Sequence, residues 1–319
     1  MRPPVLGILT SLLLCSACAH EDATIPVDDS YTVSQRYYAY YEEYPDLRWP
    51  TVQFTAGQEV AFDRRYKLVG DRELHLDVFI PSAEIAKSRG IVLVHGGAWR
   101  SGNKSHFYTL ANLLSQRGYT VFLPEYRLAP EAKYPAGLVD INDAILWVKA
   151  HASEFEIDPS QIVLGGGSSG GQMAALIAYG SDNDTFKSNP DDDTHVSALI
   201  DLDGVLDFMT PLALQHENAA GSNSPAALWL GGEMEKATDH WKAASAASYV
   251  SAHSPATLII SSGQARFTAG KEEVLPALEG YGIRAKYFEF SNVPHTFWLF
   301  DPYVNEVADL VDTFLTDAE

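Results

Sequence analysis

Ile162-Val163-Leu164 is a short apolar run that meets Gly165-Gly166-Gly167-Ser168-Ser169-Gly170-Gly171, and Ala, Leu and Ile then recur at helical spacing from Met173. That order predicts a strand, a tight turn and a helix. A serine at the tip of such a turn is lifted clear of the sheet, and the helix aims its free N–H groups at the same point. Glycine two residues before and two after lets strand and helix pass closely. Two registers satisfy this pattern, Gly166-x-Ser168-x-Gly170 and Gly167-x-Ser169-x-Gly171. The strand ends near Leu164, so Ser168 has the shorter lead into the turn and is the expected nucleophile. A phosphate-binding loop is the competing reading, but the Lys-Ser/Thr ending of a P-loop is missing.

A serine hydroxyl is a poor nucleophile at neutral pH and needs a base within hydrogen-bond reach. Of the 10 histidines, His295 is the candidate, in Asn292-Val293-Pro294-His295-Thr296-Phe297-Trp298 between the last strand and the last helix. The developing oxyanion needs backbone donors on a loop opposite the serine. His95-Gly96-Gly97-Ala98-Trp99 follows a buried strand, and its glycines let the backbone turn its N–H groups toward one point. Gly97 and Ala98 are the expected donors, joined by Ser169 from the turn, with His95 as a support for the loop.

Those residues require a scaffold that brings strand ends together. Val60 to Leu68 and Leu74 to Ile80 read as a hairpin. After it, strands at Gly90–Val94, Thr120–Leu123, Ile162–Leu164, Ser197–Leu202, Thr257–Ser261 and Ala285–Phe290 alternate with helical stretches. This predicts an α/β protein with a mostly parallel central sheet and helices on both faces. Residues 208–247 interrupt the rhythm and are expected as a cap or lid over the carboxyl ends of the strands, inside one domain spanning 51–319. Residues 18–50 are read as a linker and an aromatic segment. Tyr31, Tyr37, Tyr38, Tyr40, Tyr41 and Tyr44 crowd around Arg36 there, either as a helix packed on the domain or as a lip that stacks on sugars.

The chain of 319 residues carries a formal charge of −20, which argues against nucleic acid as a partner, since phosphate contacts need a basic face. Arg2, the apolar run Val5 to Leu14 and Ser16-Ala17-Cys18 form an export signal over residues 1–17. It resembles a bacterial lipoprotein signal with Cys18 as the lipidated residue, although Cys15 stands where leucine is usual. Ordinary cleavage after Ala19 is the alternative. Either route exports the protein, to the periplasm or outer membrane as a lipoprotein or as a secreted soluble form, with the lipid anchor as its one expected membrane contact. Both cysteines lie in this segment, so the domain has no disulfide to form.

His95-Gly96-Gly97-Ala98-Trp99, Glu125-Tyr126-Arg127-Leu128-Ala129-Pro130-Glu131, Tyr134-Pro135-Ala136, the Ser168 turn and Pro294-His295-Thr296-Phe297-Trp298 occur in this order. Together they resemble the α/β-hydrolase superfamily, on the branch of hormone-sensitive-lipase-like and bacterial carbohydrate esterases. Asp201 to Leu206, Trp229 to Gly232 and Arg266-Phe267-x-Ala269-Gly270 further resemble a pectinesterase-like or acetyl-esterase-like subgroup. The resemblance implies the α/β-hydrolase fold, ester hydrolysis, and no metal or organic cofactor. Trp99 and Trp298 are the aromatic candidates for substrate contact. One element departs from the pattern. The triad acid usually follows the strand before the last, but Gly263-Gln264-Ala265-Arg266 offers no carboxylate. Asp203 is the preferred replacement and Glu272 the alternative. Arg266 is then free to pair with Glu272 or to receive a uronic carboxylate. The expected function is a serine esterase that removes acetyl groups from plant polysaccharides or oligosaccharides. Pectin methylesterase on the same triad is the alternative, and a catalytically dead glycan-binding protein the second. A serine peptidase of this fold would want a large selecting domain that the chain has no room for. The oligomeric state is left open.

Overall fold

The computed structural model describes residues 28–317; the Cys18 lipidation and export readings lie outside the described residues. Eight strands form one sheet in the order β1-β2-β4-β3-β5-β6-β7-β8. The hairpin β1 (Glu59–Val69) and β2 (Arg72–Ile80) is antiparallel, and β2 also runs antiparallel to β4. From there β3 (Gly90–Val94), β4 (Thr120–Pro124), β5 (Val163–Gly167), β6 (Ala198–Leu202), β7 (Ala256–Ser261) and β8 (Ala285–Glu289) are parallel to their neighbours. β3 to β6 are buried along their whole length, as their unbroken apolar runs require for strands covered on both faces.

Alternate residues of these strands feed two cores. Val92, Val94, Phe122, Leu164 and Leu199 point to one face, under α3 (Ala136–Ala150) and α4 (Ser169–Tyr179). Ile91, Leu93, Val121, Val163 and Ile200 point to the other, under α2 (Tyr108–Ser115) and the final helix α9 (Tyr303–Thr316). The period of two in a strand produces this split directly.

Two regions add to this frame. Residues 208–247 carry α5 (Pro211–Glu217), α6 (Pro225–Leu230) and α7 (Thr238–Ala243). They are anchored rather than loose, because Phe208, Ala213, Trp229 and Trp241 are fully or almost fully buried in the first core. Gln172 of α4 donates to the carbonyl of Ala244, and Ser245 Oγ accepts from the N–H of Phe208. The other region is α1 (Val33–Tyr40). It is started by a capping box in which Thr32 Oγ1 accepts from the Gln35 N–H and Gln35 Oε1 accepts from the Thr32 N–H. No residue of α1 is buried. It leans on the end of the chain: the Tyr37 ring lies 5.9 Å from that of Phe300, and the Arg48 N–H donates to the Asp301 carbonyl at 2.8 Å.

Candidate active site

Ser168 sits between the last residue of β5 and the first of α4, at φ 55° and ψ −124°. This is a left-handed backbone that a non-glycine residue adopts only when its surroundings enforce it. Its N–H is held by the Leu202 carbonyl at 2.8 Å. The flanking glycines have a steric reason. A Cβ on Gly166 would stand 2.3 Å from the Gly170 oxygen, and one on Gly170 would stand 2.1 Å from the Val94 oxygen. Gly167 and Gly171 are equally crowded, so the register is decided by the hydroxyls: Ser168 Oγ lies 2.8 Å from His295 Nε2. Ser169 is buried, and its hydroxyl has no partner among the described residues.

The loop after β8 carries His295 back over the strand ends. Its Nε2 lies 2.8 Å from Ser168 Oγ, and its Nδ1 lies 2.9 Å from Asp203 Oδ2. Asp203 follows β6 directly, at φ 52° and almost fully buried. Its second oxygen accepts from the Ser262 N–H at 2.9 Å. The turn after β7, which lacks a carboxylate, thus contributes a backbone donor to the carboxylate one strand away. Glu272 stands elsewhere: it is exposed in the first turn of α8 (Lys271–Gly280) and pairs with Lys271. The alternative acid, and the pairing of Arg266 with Glu272, are not what the chain adopts. The acid comes from the end of β6, beside β7, where Asp203 is held by the Ser262 N–H.

Burial holds the His295 pKa below its usual value; the hydrogen bond and charge of Asp203 work the other way, and Arg266 and Arg36 add to the lowering. The imidazole is thus neutral near pH 7 and able to accept a proton. The Phe267 ring stacks on it at 3.3 Å between centroids and fixes its plane. His95 plays a different part. It is fully enclosed, its pKa is pushed down to about 3 by burial, it stacks on Tyr126 at 4.5 Å, and its Nδ1 lies 3.0 Å from the Gly96 carbonyl. It is a neutral strut under the loop.

That loop turns sharply. Gly97, Ala98 and Trp99 have φ values of 136°, 53° and 60°. A Cβ on Gly96 would stand 2.4 Å from the Gly167 oxygen, so the loop and the serine turn are in direct contact. The N–H groups of Gly97, Ala98 and Ser169 meet no acceptor among the described residues, which leaves them free for an oxyanion.

Two cavities meet at Ser168. The larger, about 530 Å³, is walled by Tyr31, Arg36, Tyr40, Tyr44, Arg266 and Phe267. The smaller, about 240 Å³, is walled by Ala98, Trp99, Gln172, Val205, Glu217 and Pro225. Of the two tryptophans expected at the substrate, Trp298 needs correction, and Trp99 lines the smaller cavity. Trp298 is almost fully buried and packs where a Cβ on Gly167 would come within 2.6 Å of its ring. Trp99 is 4% exposed, stacks on Trp229 at 5.1 Å and donates to Gln172 Oε1 at 2.9 Å. It borders the smaller cavity as part of the packed wall. Phe267, Glu217 and Pro225 were not singled out from the sequence. Phe267 has a signal in hindsight, since it adjoins the turn that lost its acid. Glu217 and Pro225 have none, because they reach the site through the folding of the cap.

A strand–serine–helix elbow, a histidine after the last strand and a buried aspartate after β6 define an α/β-hydrolase fold with a complete Ser–His–Asp arrangement. Residues 76–267 match the BD-FAE family. That match covers more than half of the sequence, and the chain belongs to this family. Over 141 residues it is 33% identical to the "Probable carboxylic ester hydrolase LipM" of Mycobacterium tuberculosis, across 43% of this chain and 33% of that one. The chain thus spans about a third of the length of that curated relative. Among solved structures, esterase 2 of Thermogutta terrifontis superposes with a TM-score of 0.65 at 24% identity, covering 83% of this chain and 96% of its own. A truncated carbohydrate esterase from gut microbiota gives a TM-score of 0.67 at 20% identity, covering 84% and 100%. At these identities the two structures establish the shared fold.

Proposed function

We propose that this chain is a serine carboxylic-ester hydrolase that removes acetyl or similarly small acyl groups from polysaccharides or oligosaccharides. The observation that carries the reading is the unbroken chain of hydrogen bonds from Ser168 Oγ through His295 to Asp203. Ser168 Oγ attacks the ester carbonyl while His295 Nε2 takes its proton. Asp203 holds the ring in place and offsets the charge that the imidazolium acquires. The free N–H groups of Gly97, Ala98 and Ser169 receive the oxyanion. The tetrahedral intermediate collapses as His295 returns the proton to the leaving alkoxide, and water then attacks the acyl-serine with His295 again as base.

The cavities support the choice of ester. The small cavity beside the serine suits a short acyl group, and the larger, tyrosine-lined one suits a sugar that presents C–H faces to aromatic rings. The arginines in the larger cavity also favour a second reading, a pectin methylesterase, in which the acid part of the ester is the sugar and methanol leaves. A catalytically dead glycan-binding protein would have no use for a neutral, aligned His295. We further propose that the protein acts outside the cytoplasm, tethered by a lipid on Cys18.

Acetate and methanol released from acetylated and methyl-esterified polysaccharides separate the two ester readings. Acetate release that disappears in Ser168→Ala supports the first, and methanol alone supports the second. A wild-type protein that turns over neither polymer nor 4-nitrophenyl acetate removes the esterase reading altogether.

A further inference from the structure

Arg36 and Arg266 face the larger cavity from opposite ends of the chain. Arg36 comes from α1, before the family match begins, and Arg266 from the turn after β7. The Arg36 guanidinium lies 5.7 Å from the ring centre of Tyr31 and 6.0 Å from that of Tyr40. Its Nε is buried and has no hydrogen-bond partner among the described residues. The Arg266 guanidinium lies 3.9 Å over Phe267, the ring that stacks on His295. Among the described residues neither arginine reaches a carboxylate at ion-pairing distance, whereas Arg64, Arg117 and Arg127 each do. The third arginine of this cavity, Arg100, is paired with Asp28 at 3.0 Å.

Two guanidinium groups without an ion-pair partner among the described residues are costly to hold beside a histidine that must accept a proton, since both lower its basicity. They are also unexpected in a chain with 42 acidic and 22 basic residues. Glu43 on the rim, Glu217 across the small cavity and Asp203, which is committed to His295, are the acids that line the two cavities. Burial raises the Glu217 pKa, with Arg266 opposing. The wall thus presents two planar, bidentate guanidinium groups that no carboxylate of the described residues pairs with, which is the chemistry that recognises a carboxylate.

We propose that Arg36 and Arg266 form a carboxylate-binding subsite, and that the substrate is an acylated saccharide whose sugar is a uronic acid. The inference rests on the esterase reading above and adds the class of sugar. The protein as a whole repels anions, and this pair supplies the local attraction that overcomes the repulsion.

The test uses two acetylated methyl glycosides, a hexuronoside and the matching neutral hexoside, with acetate release followed for each. The wild type is expected to favour the acidic sugar in kcat/KM. Arg36→Gln and Arg266→Gln are each expected to lower that acid-to-neutral ratio by roughly 10- to 100-fold, the scale of a charged hydrogen bond, mainly through KM. Arg36→Lys is expected to recover part of it. Because the ratio is taken on one preparation, loss of folded protein cancels. A wild-type ratio at or below unity, or a ratio unchanged in both glutamine variants, overturns the subsite. Turnover of 4-nitrophenyl acetate with neither sugar accepted overturns it while the esterase reading stands. No turnover of any of the three removes both.

Discussion

The floor of the site and its walls are built by opposite means. The floor is Ser168, Asp203 and the Gly96–Ala98 loop, all attached to the carboxyl ends of β3, β5 and β6 in the buried middle of the sheet. Its positions are set by backbone contact, with glycines pressed against carbonyl oxygens and with Ser168 and Asp203 both at positive φ. The walls come from α1, the cap and the turn after β7, and they present half-exposed side chains. A floor held by neighbouring strands fixes the reaction. A wall contributed by chain that is distant in sequence can change from one ester to another without disturbing it. Substitutions in the floor should therefore lower turnover of every ester alike, and substitutions in the wall should change the ranking of esters.

The largest effect expected is on the triad acid. Asp203→Asn keeps the shape but leaves Nδ1 of His295 without a charged partner, and kcat on 4-nitrophenyl acetate should fall by ~10⁴-fold, as when a serine-protease triad loses its acid. The same loss is expected on acetylated sugar. If Asp203→Asn falls less than tenfold while Glu272→Gln is severely impaired, the floor does not end at β6 and floor and wall are not separate.

A smaller loss follows from the contact between the two halves of the floor. Gly96→Ala places a methyl group against the Gly167 oxygen, and the loop must retreat. Overpacking of this kind costs about 1–3 kcal/mol, and a displacement of the oxyanion donors by an ångström lowers kcat by ~10²-fold. Calorimetry and kcat on two esters read both consequences. A lower Tm with unaltered kcat would show that the donors are not on this loop.

Much of the floor was legible in the sequence, for a physical reason. The elbow, the HGGAW loop and the strand runs are local patterns, and steric necessity writes them into adjacent residues. The gap at Gly263–Arg266 was legible too, because a missing carboxylate is visible in one dimension. Which acid replaced it was open, since Asp203 and Glu272 differ in three-dimensional placement alone. Trp298 serves packing and lines neither cavity, while Trp99 does both, because aromatic residues beside a catalytic motif serve packing as readily as binding and only burial and cavity lining distinguish the two. The walls were the least legible. Arg36 is more than a hundred residues from Ser168 in sequence, and its place in the cavity depends on α1 docking at Phe300 and on the following chain being held at Asp301 through Arg48.

The smallest expected effect joins wall to floor through the titration of His295. Catalysis needs the imidazole neutral, so kcat/KM falls as pH drops through its pKa. Burial holds that pKa below 6.5, the charges of Arg266 and Arg36 lower it further, and Asp203 raises it. Activity should then persist below pH 6.5 and disappear only at lower pH. Arg266→Gln removes a positive neighbour, which makes protonation easier and should move the acid limb of kcat/KM for 4-nitrophenyl acetate to higher pH; Arg36→Gln should do the same to a lesser degree. Asp203→Asn should move the limb the other way, on its much reduced rate. A neutral ester is the right probe because it offers the arginines no carboxylate, so any shift reports their field at the histidine rather than their grip on substrate. An acid limb that stays in place in both arginine variants would mean that solvent screens the wall from the floor. The two regions would then be separable in electrostatics as well as in construction.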